Sequence, residues 1–537
     1  MTKTSNKKPA EIIIEQLSKS QVVNRKYLEK IKRKTAKQTK ASLLSNIILL
    51  QTYHRLLKSK KIKKSKAIEA ILITRPVRSI SGIVNVSVLT KPYPCPGKCV
   101  FCPTQKGFPK SYLGGEPAAD RAKALNFNPY LQVQKRLEML EAQGHPIDKI
   151  ELRVVGGTWS AYPKAYQTWF IKNCFSAAND FNVEQKPKHS KLQDLQKLTK
   201  TNEKAKNKIV GLSIETRPDF ITKKEILRLR TLGVTLVEMG VQTIFDDILK
   251  KSDTGLTIKQ IANATHLLKD AGFKVLYQIM PNLPGADIKK DIKMFEILFQ
   301  DIRFKPDWLK IYPCLVCPGA KLVKLWQEKK YQPYSKEKLI KLLIKVKQDL
   351  PYWVRLTRVF RDIPSQSIIA GCRTSNLREL VVQELEKQKK ECHCIRCREV
   401  KGDYDPQEKI FLFREDFQSS NGTEVFLSFE NKKRTKLYSL LKLRIPKNTF
   451  LPALKNASII RELQTFGRQL EIKKQRQSSA YSPQHKGMGK KLVRQAEEIT
   501  TKDFQLKKIA VISGVGARGY YRKLGYRLKD TYMLKNL

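Results

Sequence analysis

At 537 residues the chain exceeds one ordinary core, and its ten cysteines fall mostly in two tight groups, which suits metal sites in a reducing compartment better than disulfides. Lys and Arg outnumber Asp and Glu by 105 to 49, for a formal net charge of +56; a polyanion is the expected partner, unless a lysine-rich proteome decorates every surface alike. The N-terminus is polar and no apolar run nears the ~20 residues that span a bilayer, so the expectation is a soluble, cytoplasmic protein of two or three domains without membrane contact.

In residues 1–74, apolar side chains recur at helical spacing: Ile12, Ile13, Leu17 and Val22, then Leu28 and Ile31, then Leu43, Leu44, Ile47 and Ile48. Two or three basic amphipathic helices are expected. Up to Lys66 the acidic residues are Glu11, Glu15 and Glu29 alone, and the region ends in Lys58-Ser-Lys-Lys-Ile-Lys-Lys-Ser-Lys66, so it reads as a nucleic-acid-binding arm, with plain surface packing as the alternative.

After Arg75-Pro-Val-Arg78 the pattern becomes α/β, with β-rich runs at 81–89, 150–155, 209–214, 234–241, 275–280 and 308–312. Helical stretches at 130–143, 164–175, 223–231, 258–271 and 289–299 separate them. These units predict a partial (β/α)6 barrel over residues 75–365, with reactive groups at the C-terminal ends of the strands. A lysine-rich insertion, 186–208, is expected to be a surface loop or solvated helix.

The first strand leads into Cys95-Pro-Gly-Lys-Cys99-Val-Phe-Cys102. Three thiolates at this spacing can hold three irons of a [4Fe-4S] cluster and leave the fourth without a protein ligand, whereas fully ligated clusters use four cysteines. The motif resembles the signature of the radical S-adenosylmethionine (SAM) enzymes, in which SAM completes the coordination and is cleaved to a radical. A zinc knuckle or a chance group of buried cysteines would share the spacing.

Residues 366–407 read as a linker with a second cluster, Cys392-His-Cys394-Ile-Arg-Cys397. Three thiolates with His393 or Cys372 would make a tetrahedral zinc site; a reactive thiol pair is the rival reading. Cys314, Cys317 and Cys174 read as ordinary core or loop thiols.

Residues 408–537 read as a smaller α+β domain, with a hairpin from 411–413 and 425–429 and strands at 437–443 and 459–466. Gln484-His-Lys486-Gly487-Met488-Gly489-Lys490-Lys491 then opens an amphipathic helix, with Leu492, Val493, Ala496 and Ile499 on its apolar side. Glycines at a helix start let backbone amides approach a pyrophosphate, and the helix dipole and the lysines add positive potential. With the strand Ile509-Ala-Val-Ile512 and Ser513-Gly-Val-Gly516-Ala-Arg-Gly-Tyr520-Tyr521, the arrangement resembles the acetyl-CoA-binding core of the GNAT acetyltransferases.

A radical-SAM barrel joined to a GNAT domain is similar to the Elongator catalytic subunit family, the tRNA uridine(34) acetyltransferases, across residues 75–537. The match includes Gly156-Gly157-Thr158, Gly211-Leu-Ser-Ile-Glu-Thr-Arg-Pro-Asp219, Glu238-Met-Gly-Val-Gln242, Lys310-Ile-Tyr-Pro313, Arg361-Asp-Ile-Pro364 and Val511-Ile-Ser-Gly-Val-Gly516. The resemblance implies formation of the carboxymethyl group at C5 of wobble uridine 34 from acetyl-CoA by SAM radical chemistry. It implies a tRNA anticodon stem-loop and a reductant as partners, with Elongator-like subunits or self-association. By the same resemblance Gly156, Gly157 and Thr158 should meet SAM. Glu215 and Gln242 are candidates for its ribose or methionine, unless Glu215 pairs with Arg217. Lys310 is a candidate for the acyl group or a phosphate, unless it is a surface lysine, and Tyr520 or Tyr521 for orienting or protonating the thioester. The three-cysteine cluster at 392–397 is associated with bacterial and archaeal forms; the Cys314/Cys317 pair departs from the eukaryotic pattern. A protein-lysine acetyltransferase and a non-catalytic iron-sulfur RNA-binding scaffold are the rival functions.

Overall fold

The computed structural model describes residues 8–183, 194–470 and 482–537. Near the N-terminus four helices form, Pro9–Lys19, Arg25–Thr39, Asn46–Lys58 and Lys66–Leu72. The side chains of Asn24, Ser45 and Ser65 cap the last three by accepting from backbone amides three residues on. Ile13, Leu17, Leu28 and Ile31 are buried as their spacing requires, in a small core of their own. The third helix is phased differently from the expectation. Its start at Asn46 turns Leu49, Leu50, Tyr53 and Leu56 inward, while Leu43 and Ile48, like Val22 in the loop between the first two helices, face solvent.

The middle of the chain is a seven-stranded parallel sheet in sequential order: β1 (Val84–Leu89), β2 (Lys149–Val155), β3 (Lys208–Thr216), β4 (Leu236–Gln242), β5 (Lys274–Ile279), β6 (Trp308–Ile311) and β7 (Arg355–Arg358). Helices between the strands cover its outer face, as parallel connections require. The expected six units are present and β7 adds a seventh strand; at four residues, two of them arginine, it carries no readable periodicity. The insertion departs from expectation in its second half. Residues 184–193 lie outside the described residues, but Leu195–Asn202 is a packed helix with Leu195, Leu198 and Asn202 buried. Asn202 ties it to β3 by accepting from the Ile209 amide at 2.8 Å.

A second seven-stranded sheet follows, with β8 (Phe411–Ser419), β9 (Gly422–Glu430), β10 (Leu437–Pro446), β11 (Ser458–Thr465), β12 (Lys508–Val511), β13 (Arg527–Lys529) and β14 (Tyr532–Asn536) in the order 13-14-12-11-10-9-8. Ser420 and Asn421, both at positive φ, close the β8–β9 hairpin as a two-residue turn. Only β11 and β12 pair in parallel, over Ser458–Ile460 against Ile509–Val511. The Met488–Lys502 helix buries Leu492, Val493, Ala496 and Ile499 against one face of this sheet, in a core separate from the main one.

The other face of the second sheet rests on the barrel, and there the contact is ionic as well as apolar. Buried Arg461 donates to Asp307 at 3.0 Å and Glu424 at 2.8 Å; Arg444 reaches Asp270 and Glu424; Lys442 reaches Asp307 at 3.4 Å and Glu462 at 3.2 Å. Trp308 donates its indole N–H to Glu462 at 3.2 Å. Asp307 therefore stays charged: burial opposes ionisation, but Arg461, Lys442 and Lys269 outweigh it and hold the carboxyl far below its usual range.

Candidate functional site

The strand ends of the barrel converge on a cavity of about 240 Å³ lined by Cys95, Cys99, Cys102, Gly157, Thr158, Glu215, Gln242 and Lys310, among others. The cysteine loop follows β1. A Cβ at its Gly97 would come within 2.5 Å of Arg217 Nη1, a guanidinium that Asp219 and the Thr254 carbonyl hold, so a side chain there would displace that arginine. Cys95 Sγ lies 3.4 Å from Thr158 Oγ1, which joins the loop to the end of β2. Burial, then the neighbouring Cys102, pushes the Cys99 thiol up to about 12, so Cys99 becomes a thiolate ligand only with a metal to displace its proton.

Gly156 and Gly157 both take positive φ. Gly156 packs where a Cβ would strike Thr90 Oγ1 at 2.3 Å, and its carbonyl accepts from that hydroxyl at 2.7 Å. Gly157, by contrast, has open space at its Cβ position. Gln242 ends β4 at φ +71, in a register shift between β4 and β5. A non-glycine residue in the left-handed region is strained, and here the strain sits on the cavity wall.

Glu215 accepts from Tyr112 Oη at 2.9 Å and Gln278 Nε2 at 3.2 Å. The alternative pairing with Arg217 does not occur, because Arg217 is held by Asp219 at 2.9 Å and by the Thr254 carbonyl. Lys310 is buried, not on the surface. It pairs with buried Glu238 and lies 3.6 Å from Glu215. Burial alone would lower its pKa, but the Glu238 carboxylate wins and the pKa is raised. Tyr112, Glu238, Gln278, Arg358 and Arg361 also line it; of these only Glu238 and Arg361 lay in motifs that sequence reasoning had marked.

Cys392, Cys394 and Cys397 gather elsewhere, with all three sulfurs within 4.8 Å of one another, the sole such group among the described residues. Hydrogen bonds from Cys392 and Cys394 hold Cys397 low, with Lys347 Nζ adding its charge at 3.2 Å. The expected fourth ligand is not brought in. Cys372 borders a separate surface hollow beside Gln332 and Pro333, and the His393 ring is stacked on Tyr352 at 4.6 Å. Cys174 and Cys314 are buried in cores, while Cys317 reaches the lining of the main cavity.

In the second sheet β11 and β12 part after Ile460 and Val511, and a cavity of about 160 Å³ opens there, lined by both strands, by Ser513, Gly514 and Tyr521, and from the barrel by Glu151, Gly211 and Lys274. Gly487, at φ +83, begins the Met488–Lys502 helix without a side-chain cap, so the first-turn amides are free of one. A Cβ on Gly489 would lie 3.2 Å from Tyr520 Oη, which places that hydroxyl at the helix start, whereas Tyr521 is buried. Lys490 is exposed. Gln484 braces the loop from within, accepting from Lys149 at 3.1 Å and donating to the Thr465 carbonyl at 3.0 Å. Lys486 turns to the Tyr404 hydroxyl, and Met488 packs on the main core. His485 is a loop residue 3.5 Å from Lys149. The two cavities meet the same barrel strand: Glu151 borders one, Arg153 the other, and the two side chains are paired at 3.1 Å.

A parallel half-barrel with three cysteines in the loop after its first strand defines the radical SAM class. Consistent with this, residues 93–296 match the Radical SAM superfamily and residues 306–387 its C-terminal domain. The chain is 42% identical to the tRNA uridine(34) acetyltransferase of Methanocaldococcus jannaschii, covering 98% of this chain and 97% of that one. It is 37% identical to human Elongator complex protein 3, covering 87% and 86%. The structure of Methanocaldococcus infernus Elp3 with an N-terminal deletion superposes with a TM-score of 0.74 at 41% identity, covering 86% of this chain and all of that one. The chain belongs to the tRNA uridine(34) acetyltransferase and Elongator complex protein 3 family. Among its described residues no helix is long and apolar enough to cross a membrane.

Proposed function

We propose that this chain modifies tRNA, drawing on SAM and acetyl-CoA to build the carboxymethyl group at C5 of the wobble uridine. One observation carries the reading: a three-thiol cavity and a cavity between the splayed strands β11 and β12 border the same barrel strand, at Arg153 and Glu151. Relatives named for uridine(34) acetylation resemble the chain over nearly all its length.

The donor sets fit different metals. Cys95, Cys99 and Cys102 ring a cavity and do not close to within 4.8 Å, so they suit a multi-iron cluster better than one ion. Cys392, Cys394 and Cys397 do close, and with Cys397 held as thiolate they suit zinc in a structural clamp. Bound in the first cavity, the cluster and SAM supply one-electron, hydrogen-abstracting chemistry that ordinary acyl transfer lacks.

The protein's own groups then bind and orient. Gly157 lets the end of β2 approach the SAM amino group, and Thr158 braces Cys95. Glu215, fixed by Tyr112 and Gln278, keeps acceptor capacity for ribose hydroxyls, with Gln242 beside it on the wall. Lys310, its charge matched by Glu238, donates from the cavity floor toward the substrate. Gly487, Gly489 and Lys490 receive the pyrophosphate of acetyl-CoA, Tyr520 orients the thioester, and Tyr521, whose hydroxyl burial keeps protonated, hydrogen-bonds the sulfur that leaves as the coenzyme thiol when water adds to the thioester carbonyl and the C–S bond breaks to give the carboxylate.

Anaerobic reconstitution with iron and sulfide, then incubation with SAM, reductant, acetyl-CoA and tRNA, tests the reading by mass spectrometry of the nucleosides. Cys99→Ala is expected to abolish the modified uridine and retain tRNA binding; undiminished modification would refute it. Acetyl-CoA turnover stimulated by a basic protein and not by tRNA would favour lysine acetylation.

A further inference from the structure

Arg78, Arg121 and Arg136 converge where the N-terminal helices meet the barrel, beside edge strand β1. Arg121 stands on the Pro117–Ala124 helix and donates to the Ser87 carbonyl of β1 at 3.1 Å. Arg78 follows the turn that leads from the N-terminal helices into the barrel and reaches the Gln143 side chain. Arg136 lies on the Pro129–Ala142 helix, within electrostatic reach of both.

Each guanidinium is partly buried, and among the described residues none has a carboxylate within 4.0 Å. Arg121 Nε is buried without any hydrogen-bond partner. Burial, then repulsion from Arg78 and Arg121, pulls Arg136 down to about 10, and Arg78 also depresses Arg121. The buried Arg444 and Arg461 are paired with carboxylates, and Arg230, buried alone without one, is satisfied by the Val234 and Thr531 carbonyls; three guanidiniums crowded together with no carboxylate call for another source of negative charge. Arginine forks suit phosphate oxygens.

We propose that Arg78, Arg121 and Arg136 form a phosphate-binding site for the backbone of the substrate RNA, holding one strand at the open edge of the barrel. The proposal rests on the tRNA reading above for the identity of the polyanion. Position supports it. Arg75 continues the basic surface toward the N-terminal helices, while Ser87 and Pro117, the residues Arg121 touches, line the thiol cavity itself. A strand seated on the cluster runs from the basic arm to the reaction chamber.

The test measures binding of a labelled anticodon stem-loop to the full-length protein across salt concentrations. Arg136→Gln is expected to reduce the slope of log affinity against log salt by about 0.7–0.9 and to weaken binding roughly five- to eightfold at 0.1 M salt. Lys259→Gln, an exposed charge on another helix, serves as the control and should change neither. Because Arg136 is repelled by its neighbours, Arg136→Gln should keep or raise the melting temperature of the RNA-free protein. A lowered melting temperature together with an unchanged salt slope would mark a structural role and overturn the proposal. Stabilisation of the wild type by inorganic phosphate, with RNA affinity untouched by Arg136→Gln, would make this a free-anion site and overturn it equally. If the wild type does not bind the stem-loop at all, it is the tRNA reading that fails, and this proposal falls with it.

Discussion

Replacing Asp307 by Asn should loosen the joint between the barrel and the second sheet without touching either cavity's proposed ligands. The carboxylate is buried and accepts from both guanidinium nitrogens of Arg461, from Lys442 at 3.4 Å and from the Val275 amide at 2.9 Å. At an effective dielectric constant near 20, a unit pair about 3 Å apart is worth roughly 5 kcal/mol of attraction. Part of that returns when Asn no longer has to be desolvated as an ion, and Asn keeps an acceptor for Val275. Arg461 and Lys442 stay buried, with Glu424 and Glu462 as their remaining partners. A net loss of about 3 kcal/mol follows, at the lower end of the range for breaking a buried pair. A protein of several cores need not melt in one step, so hydrogen exchange of β6 and β11 is the sharper assay. Protection there should fall about 100-fold, since 1.4 kcal/mol is a factor of about ten. Adding Arg461→Met removes the buried cation that has lost one of its two carboxylates, and the double variant should regain part of the protection. Protection within threefold of wild type in Asp307→Asn would refute the reasoning. The pH dependence has a fixed sign. A carboxyl held below its unfolded pKa of about 3.9 contributes stability that is complete above that value and is lost as pH falls through the lower folded pKa. Asp307→Asn should therefore flatten the acid limb of the stability curve.

Cys394→Ser is expected to lower zinc content per chain after purification, with reconstituted iron unchanged; metal analysis by mass spectrometry checks both numbers, and equal loss of iron would contradict separate sites. Gly487→Ala forces a Cβ into the left-handed region at φ +83 and should cost about 1 kcal/mol locally. Acetyl-CoA affinity, measured by calorimetry, is expected to drop about fivefold while SAM cleavage persists.

What the sequence disclosed depended on whether a feature is local. The cysteine loop and the Gly487 turn are contiguous, so the sequence marked Cys95, Cys99 and Cys102 by their spacing and Gly487 as a helix start, while Gly157 was marked by resemblance; the structure puts the three cysteines and Gly157 on one cavity. The barrel was legible because each strand and helix keeps its own period; β7 was not, because Arg355–Arg358 is too short to show one. The Glu215 bracket escaped because Tyr112 and Gln278 come from a loop and a distant strand, and only the sheet order brings them to one carboxylate. Lys310 was marked as a candidate, but its burial and its pairing were not legible for a related reason, since a lysine in a four-residue strand looks exposed until Glu238 of β4 is found facing it.

The joint between the two sheets was hidden by a stronger physical bias. Lys442 and Arg444 on β10, alternating with Leu441 and Leu443, read as the wet face of an ordinary antiparallel strand. In the fold that face is dry, because the barrel presents Asp270 and Asp307 at matching positions and supplies the countercharge that water would otherwise give. Alternation reports which side chains share a face and leaves open what that face meets. The same logic isolates the Arg78, Arg121 and Arg136 cluster: it too is a set of half-buried cations, but no carboxylate of the described chain meets it, and that missing complement is what points to RNA phosphate.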